Sequence, residues 1–192
     1  MQSSRTFQFS AFPRTNIPGF IKDLKTYNKI IKSYKDSNSI NKERQVWWKI
    51  RPHIEYGTVE FRVCDIQISL NRTEMIVALV QALVHSIVSK NDFIEKDYNY
   101  EFLQDGLWKS VRYGLDCNVI DPYDEKIISM KTMIKKMLNY SKDSLRYFNS
   151  LYVEEYIEDI LVNGPESYKQ LKIYNESGFR GLKKYFIDVN NW

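Results

Sequence analysis

The sequence is poor in the residues that build covalent or metal frameworks. Its 192 residues include two cysteines, Cys64 and Cys117, and two histidines, His53 and His85. The cysteines are far apart and neither belongs to a C-x-x-C pair, which argues against a disulfide scaffold and a zinc knuckle. A reducing, cytoplasmic setting is the default for such a chain. Runs of like charge are also missing. The 28 basic residues against 24 acidic ones leave a net charge of +4, spread along the chain, so there is no basic arm of the kind that holds nucleic acid. A small basic excess fits a phosphate-bearing small molecule equally well. The stretch Met1–Ser10 has no apolar core of a signal peptide. The most apolar run, Met75–Val88, is interrupted by Gln81 and His85 and reads as too short to span a bilayer. Asn71-Arg72-Thr73 has the form of a glycosylation sequon, which without a secretion signal carries no meaning. Neither a nucleic acid nor a membrane is therefore expected as a partner. No repeat and no low-complexity linker divides the chain.

What is present is core material. Apolar residues make up 43% and aromatic residues 15%, with 14 Tyr, enough for one sizeable domain over residues 1–192 and too much for a disordered chain. Residues 1–18 read as irregular, punctuated by Pro13 and Pro18. Pro18 can open a helix, and the spacing Phe20, Leu24, Tyr27, Ile31, Tyr34 predicts an amphipathic one. Val46–Arg51 and Thr58–Val63 are aromatic and β-branched and flank Pro52 and Gly57, which predicts a hairpin or two neighbouring strands. From Asn71 the chain turns helical. Asn71 and Glu74 resemble a capping box, and helices are expected near 100–113, 128–148, 153–161, 166–176 and 178–189. Asn163-Gly164-Pro165 and Ser177-Gly178 are the expected breaks. The class is α+β: strands at about 46–65, helices at about 71–190. Two strands make a poor sheet alone, so they are expected to belong to a larger one.

Alternation along a strand sorts these residues by face. Val59, Phe61 and Val63 share one face, and Thr58, Glu60, Arg62 and Cys64 the other. Lys49 and Arg51 share a face, with Trp48 and Ile50 opposite. The expected sheet has an apolar side against helices and a charged side. On the charged side a carboxylate stands beside guanidinium and ammonium groups, with Glu60 and Arg62 about 7 Å apart along the strand. Magnesium takes carboxylate and phosphate oxygens together, and arginine forks match phosphate. The plainer reading is a solvent-facing polar face with ordinary cross-strand pairs.

The residues Trp47-Trp48-Lys49-Ile50-Arg51-Pro52-His53, followed by Tyr56-Gly57-Thr58-Val59-Glu60-Phe61-Arg62-Val63-Cys64-Asp65, resemble the core signature of the glutamate–cysteine ligase type 2 family. That signature has the form W-W-x-x-R-P, a short gap, then G-T-x-E-x-R-x-x-D. Trp108 with Arg112-Tyr113-Gly114-Leu115-Asp116 resembles its W…R-Y-G-L-D helix end. Ser4-Arg5 and Phe12-Pro13-Arg14-Thr15 with Pro18 resemble its S-x-R…P-R-x-G-x-P stretch, with Asn16 where glycine is often found.

The resemblance implies a partial antiparallel sheet of a glutamine synthetase-like catalytic fold, followed by a helical C-terminal bundle. It implies a ligase that uses ATP and Mg2+ to activate a carboxylate as an acyl phosphate, which an amine then attacks; the substrates would be small amino acids. By the same resemblance Glu60 is a magnesium ligand, Arg62 contacts the transferred phosphoryl group, and Arg51 binds phosphate or the substrate carboxylate. Arg5 is a further candidate for that work. Arg112 lines the site or serves the end of its helix. Asp65 caps or turns the chain leaving the strand, and His53 and His85 are structural.

Two departures stand out. Lys49 occupies a position that is commonly acidic in the family. The family's N-terminal half, with a Glu-rich G-x-E-E-E-like strand and further metal ligands, is not represented. The expectation is the C-terminal portion of a ligase that needs a complementary N-terminal half or a homo-oligomer. The alternatives are a non-catalytic remnant or binding module of the same fold, and a helical interaction protein whose hairpin is only structural.

Overall fold

The computed structural model describes residues 1–91 and 98–190, and they form an α+β arrangement of seven helices and two small antiparallel hairpins. The N-terminal segment is not irregular throughout. Helix α1 spans Ser4–Phe9, because the Ser3 hydroxyl accepts a hydrogen bond from the Thr6 amide and so caps its first turn. Helix α2, Leu24–Asp36, starts later than Pro18 suggests: Asp23 accepts from the Thr26 amide, and the chain before it stays extended or turned. Tyr27 and Ile31 on its inner face pack with Ile40, Val46 and Trp48 into a small aromatic core.

The first hairpin pairs β1, Ile50–His53, with β2, Thr58–Phe61. A 3-10 turn over Ile54–Tyr56 joins them, and Gly57 closes it at φ 60°, a left-handed conformation that glycine adopts without a Cβ penalty. Trp47 and Trp48 lie before the strand. On that side the chain is flanked by residues 14–16: the Trp47 amide donates to the Arg14 carbonyl at 2.8 Å and the Lys49 amide to the Asn16 carbonyl at 3.2 Å.

The sheet's faces are inverted relative to the sequence expectation. Ile50, Val59, Phe61 and Val63, expected to lie against helices, are exposed, and Val59 keeps 51% of its surface. Lys49 and Arg51 are buried instead. Among the described residues the apolar side of this hairpin lines an open cleft, and the larger helix contacts lie elsewhere.

They gather around α3, Leu70–Ser89. Its cap is Ser69, whose hydroxyl accepts from the Arg72 amide, rather than Asn71. The helix therefore runs well beyond the apolar stretch Met75–Val88. By length and composition alone it is the one helix among the described residues able to cross a membrane, contrary to the expectation of too short a run. Here Met75, Ala78 and Ala82 pack against α5, Met130–Tyr147, and α6, Tyr152–Asn163, around the fully buried Leu145 and Val153. Arg72 pairs with Asp159 of α6 at 2.5 Å and Glu74 accepts from the Tyr152 hydroxyl at 2.9 Å.

Helix α4, Tyr100–Tyr113, lies as expected, capped by Asn99 and ended by Gly114 at φ 63°. Between α4 and α5 stands a hairpin that the sequence reading missed, β3 Asn118–Ile120 with β4 Ile127–Ser129. The buried Asp121 carboxylate anchors it, accepting from the Tyr123 amide and pairing with Lys136. The last helix, α7, Glu166–Asn190, is broken at Gly178, the break expected from Ser177-Gly178.

Candidate active site

Backbone register creates the charged face. Arg51 and Glu60 are direct cross-strand partners. The ladder continues one step past both strands, where the Arg62 amide donates to the Lys49 carbonyl at 2.8 Å. Lys49, Arg51, Glu60 and Arg62 thus form a block of two facing pairs on one side of the sheet. One pair is matched in charge. The other sets two cations opposite each other.

Glu60 is the centre of this block. Arg51 Nε donates to its Oε2 at 2.7 Å, and Arg62 donates from a terminal guanidinium nitrogen to its Oε1 at 2.5 Å. Partial burial pushes the Glu60 pKa up, but hydrogen bonds and charge from the two arginines outweigh it and hold the carboxyl below its ordinary value. The second end of Arg51 is held from behind by the carbonyls of Arg44 and Val46. Its guanidinium is therefore fixed on two sides, while among the described residues the Arg62 guanidinium is tied only at Glu60.

Arg5 joins from α1. It donates to the carbonyls of Arg62 and Cys64, both at 3.3 Å, and stands 3.8 Å from the Asp65 carboxylate. A helix 57 residues away in sequence thereby delivers a fourth cation to the end of β2. The Asp65 Oδ1 is buried without a hydrogen-bond partner among the described residues. Lys49 is 6% exposed. Burial lowers its pKa first, and the positive charges of Arg5 and Arg62 lower it further, against an opposing pull from Asp65.

The four residues singled out from the sequence, Arg5, Arg51, Glu60 and Arg62, are thus brought together. Arg112 is not: it lies exposed in the last turn of α4, where a cation suits the helix end. His53 stacks on Tyr56 at 4.5 Å, and His85 bonds to the Ser144 hydroxyl at 2.9 Å between α3 and α5. Sequence reasoning missed the burial of Lys49 and the backing of Arg51 by two carbonyls. The first had a signal, in that Lys49 faces Arg62 once the strands are paired. The second had none, because carbonyl positions are not written in side chains.

Two clefts flank the hairpin. One, about 510 Å³, is apolar and lined by Phe20, Leu24, Tyr27, Ile50, Val59 and Leu103, among others. The other, about 530 Å³, is polar and includes Lys35, Lys42, Arg44, Arg51 and Glu55. The charged face suits an oxyanion, since converging guanidiniums offer charge-assisted hydrogen bonds. For magnesium it offers one carboxylate, both of whose oxygens are already bonded to arginines. Among the described residues no three acidic, histidine or cysteine side chains gather as a metal set.

Comparison with known proteins agrees with these motifs. The model of glutamate-cysteine ligase family 2 matches residues 1–178, and the chain belongs to that family. Relatives bearing the name "Putative glutamate--cysteine ligase 2" are 29% identical in each of three bacteria. The protein of Solibacter usitatus (strain Ellin6076) aligns over 100% of this chain and 51% of its own length. That of Sorangium cellulosum (strain So ce56) aligns over 91% and 47%, and that of Herpetosiphon aurantiacus over 92% and 46%. The chain spans about half the length of the curated relatives it matches.

Proposed function

We propose that this chain is the C-terminal portion of an ATP-dependent carboxylate–amine ligase of glutamine synthetase-like fold, which forms an amide through an acyl phosphate. The observation that carries the reading is the convergence of Arg51 and Arg62 on Glu60 on one sheet face, with Arg5 held beside them at the carbonyls of Arg62 and Cys64. Phosphoryl transfer is served mostly by positioning and charge neutralisation. Arg62, whose guanidinium among the described residues is tied only to Glu60, is the group that turns to a transferred phosphoryl group. Arg51, clamped by carbonyls, holds a phosphate or substrate carboxylate in a fixed place, and Arg5 steadies the end of β2 and adds charge.

Bound magnesium would neutralise phosphate charge. From this chain Glu60 would be its ligand, and Glu60 would first have to release one guanidinium. The remaining oxygen ligands would come from phosphate, water and side chains outside the charged block. The reading therefore requires a partner: a complementary N-terminal half, or a second copy, laid against the exposed Val59, Phe61 and Val63. Its substrates are small amino acids. Neither nucleic acid nor a membrane has a part in it, and the reducing cytoplasm suits it.

The test is co-expression of this chain with the N-terminal half of a full-length relative, followed by an assay for ADP release with glutamate, cysteine and magnesium. ADP release that depends on both amino acids is expected, and Arg62→Ala should slow it at least a hundredfold, the scale seen when one transition-state donor is lost. Full activity in Arg62→Ala contradicts its role. A stable, magnesium–ATP-binding assembly that never releases ADP supports instead a non-catalytic member of the same family.

A further inference from the structure

The stretch Arg112-Tyr113-Gly114-Leu115-Asp116 has no role in the reading above. It closes α4 away from the charged block, yet three parts of the chain meet on it. Leu115 is buried in the helical core. The amides of Gln2 and Ser3 donate to the Val111 carbonyl at 2.8 and 3.2 Å. From the first turn of α7 the Tyr168 hydroxyl donates to Asp116 Oδ2 at 2.5 Å and stands 3.3 Å from the Tyr113 carbonyl. Burial first, then the bond to Asp116 and its charge, push that phenol up to about 12, so it remains a donor. Gly114 is where Gln2 and Tyr168 close on one backbone position: a Cβ there would stand 3.0 Å from Gln2 Cγ and 3.2 Å from the Tyr168 ring. Gly164 also leaves room for that ring, since a Cβ there would stand 2.7 Å from it.

What this end of α4 holds is the start of α1. Ser3 is tied to Val111 through its amide and caps α1 with its hydroxyl, and Arg5 follows in the first turn. Arg5 then reaches the carbonyls of Arg62 and Cys64. A helix of six residues is too short to hold itself in water, so its place is set by what it is tied to. We propose that Tyr168 and Asp116 are positioning residues: they fix the end of α4 that holds Gln2 and Ser3, and so keep α1 where Arg5 stands beside Arg62. The proposal rests on the ligase reading for what Arg5 does once there; the latch itself stands on distances within this chain.

The first experiment reads α1 in the chain itself. Trypsin cuts after Arg5 when α1 opens and releases that side chain, so the initial rate of the cut reports the opening. Tyr168→Phe should raise it about tenfold, the scale of one lost hydrogen bond to a charged group. Asp116→Ala should match it, and the two together should add less than twofold to either, because they remove one interaction. Asp116→Asn, which still accepts the phenol hydrogen, should stay within about threefold of the parent. Tyr174→Phe, on the same helix, should change the rate less than twofold. The cut after Lys25, exposed at the start of α2, should not change.

The second experiment uses the co-expressed assembly. Tyr168→Phe should slow ADP release about tenfold where Arg5 is present, as a misplaced positioning group does, and less than twofold in Arg5→Ala. A residue that only fastens α7 would slow both alike. Cleavage after Arg5 that is unchanged in both Tyr168→Phe and Asp116→Ala, an equal rise after Lys25, or equal slowing with and without Arg5 overturns the proposal. If the unaltered assembly releases no ADP, the ligase reading falls, and the cleavage rates decide whether the latch holds α1.

Discussion

The α3–α5–α6 bundle and the β1–β2 hairpin are held together by opposite means. In the bundle, apolar side chains meet and polar ones close the rim: Leu145 and Val153 are fully buried, and Arg72–Asp159 sits at the edge. In the hairpin, charges face inward and apolar side chains face out. Glu60 binds two arginines, Arg51 is held by carbonyls, and Ile50, Val59, Phe61 and Val63 stay open. A structure that needs no partner puts its apolar face inside. The bundle has such an apolar interior, although Val77 and Val88 on the outer side of α3 stay exposed; the hairpin has its charged face inside, and its exposed apolar face is what the proposed assembly would cover.

The comparison can be broken most forcefully at the bundle. Leu145→Ala should cost about 2–5 kcal/mol, from lost transfer energy plus the cavity left behind. Urea unfolding would show the loss, and a cost below about 1 kcal/mol would mean that the bundle is not the stabilising core.

Glu60 comes next. Glu60→Ala strands two guanidiniums, but the carboxylate is one-third exposed, so water moderates the effect to about 1–2 kcal/mol. The same carboxylate gives a pH signature. Its folded pKa lies below its unfolded value, so its contribution is full above the ordinary Glu value of about 4.3 and fades as pH falls through the lowered one. Melting curves between pH 6 and 3 should show a shallower acid loss in Glu60→Gln than in the parent; identical slopes would show that the arginine clamp does not form in solution.

The smallest effect on the isolated chain sharpens the comparison most. Val59→Lys should shift stability by less than about 0.5 kcal/mol, because an exposed substitution removes few contacts. In the co-expressed assembly it should abolish association, read by size-exclusion chromatography. Association that survives it would place the partner elsewhere than on the apolar sheet face.

Much of the fold was legible from periodicity and breakers. Helix α4 and the break at Gly178 lie where expected, since glycine and the 3.6-residue spacing act locally. Caps were less legible: Ser69 rather than Asn71 starts α3, and both are competent capping residues, so tertiary packing decided between them. The hairpin β3–β4 was missed because its strands have three residues each and its anchor, Asp121, reads as an ordinary turn residue. Within the candidate site, alternation put Glu60 beside Arg62, and register confirmed it. Which face is buried could not be read, because the alternation rule assumes that apolar residues find cover within the same chain.

Pro52, inside β1, gives the hairpin a direction. Proline has no amide hydrogen to offer a neighbouring strand, and just before it residues 14–16 already occupy the amides of Trp47 and Lys49. The outer edge of β1 is therefore closed to further pairing. Thr58–Phe61 carries no proline, and among the described residues its backbone bonds only to β1. If the proposed assembly extends this sheet, the added strand would dock beside β2, whose edge carries Glu60.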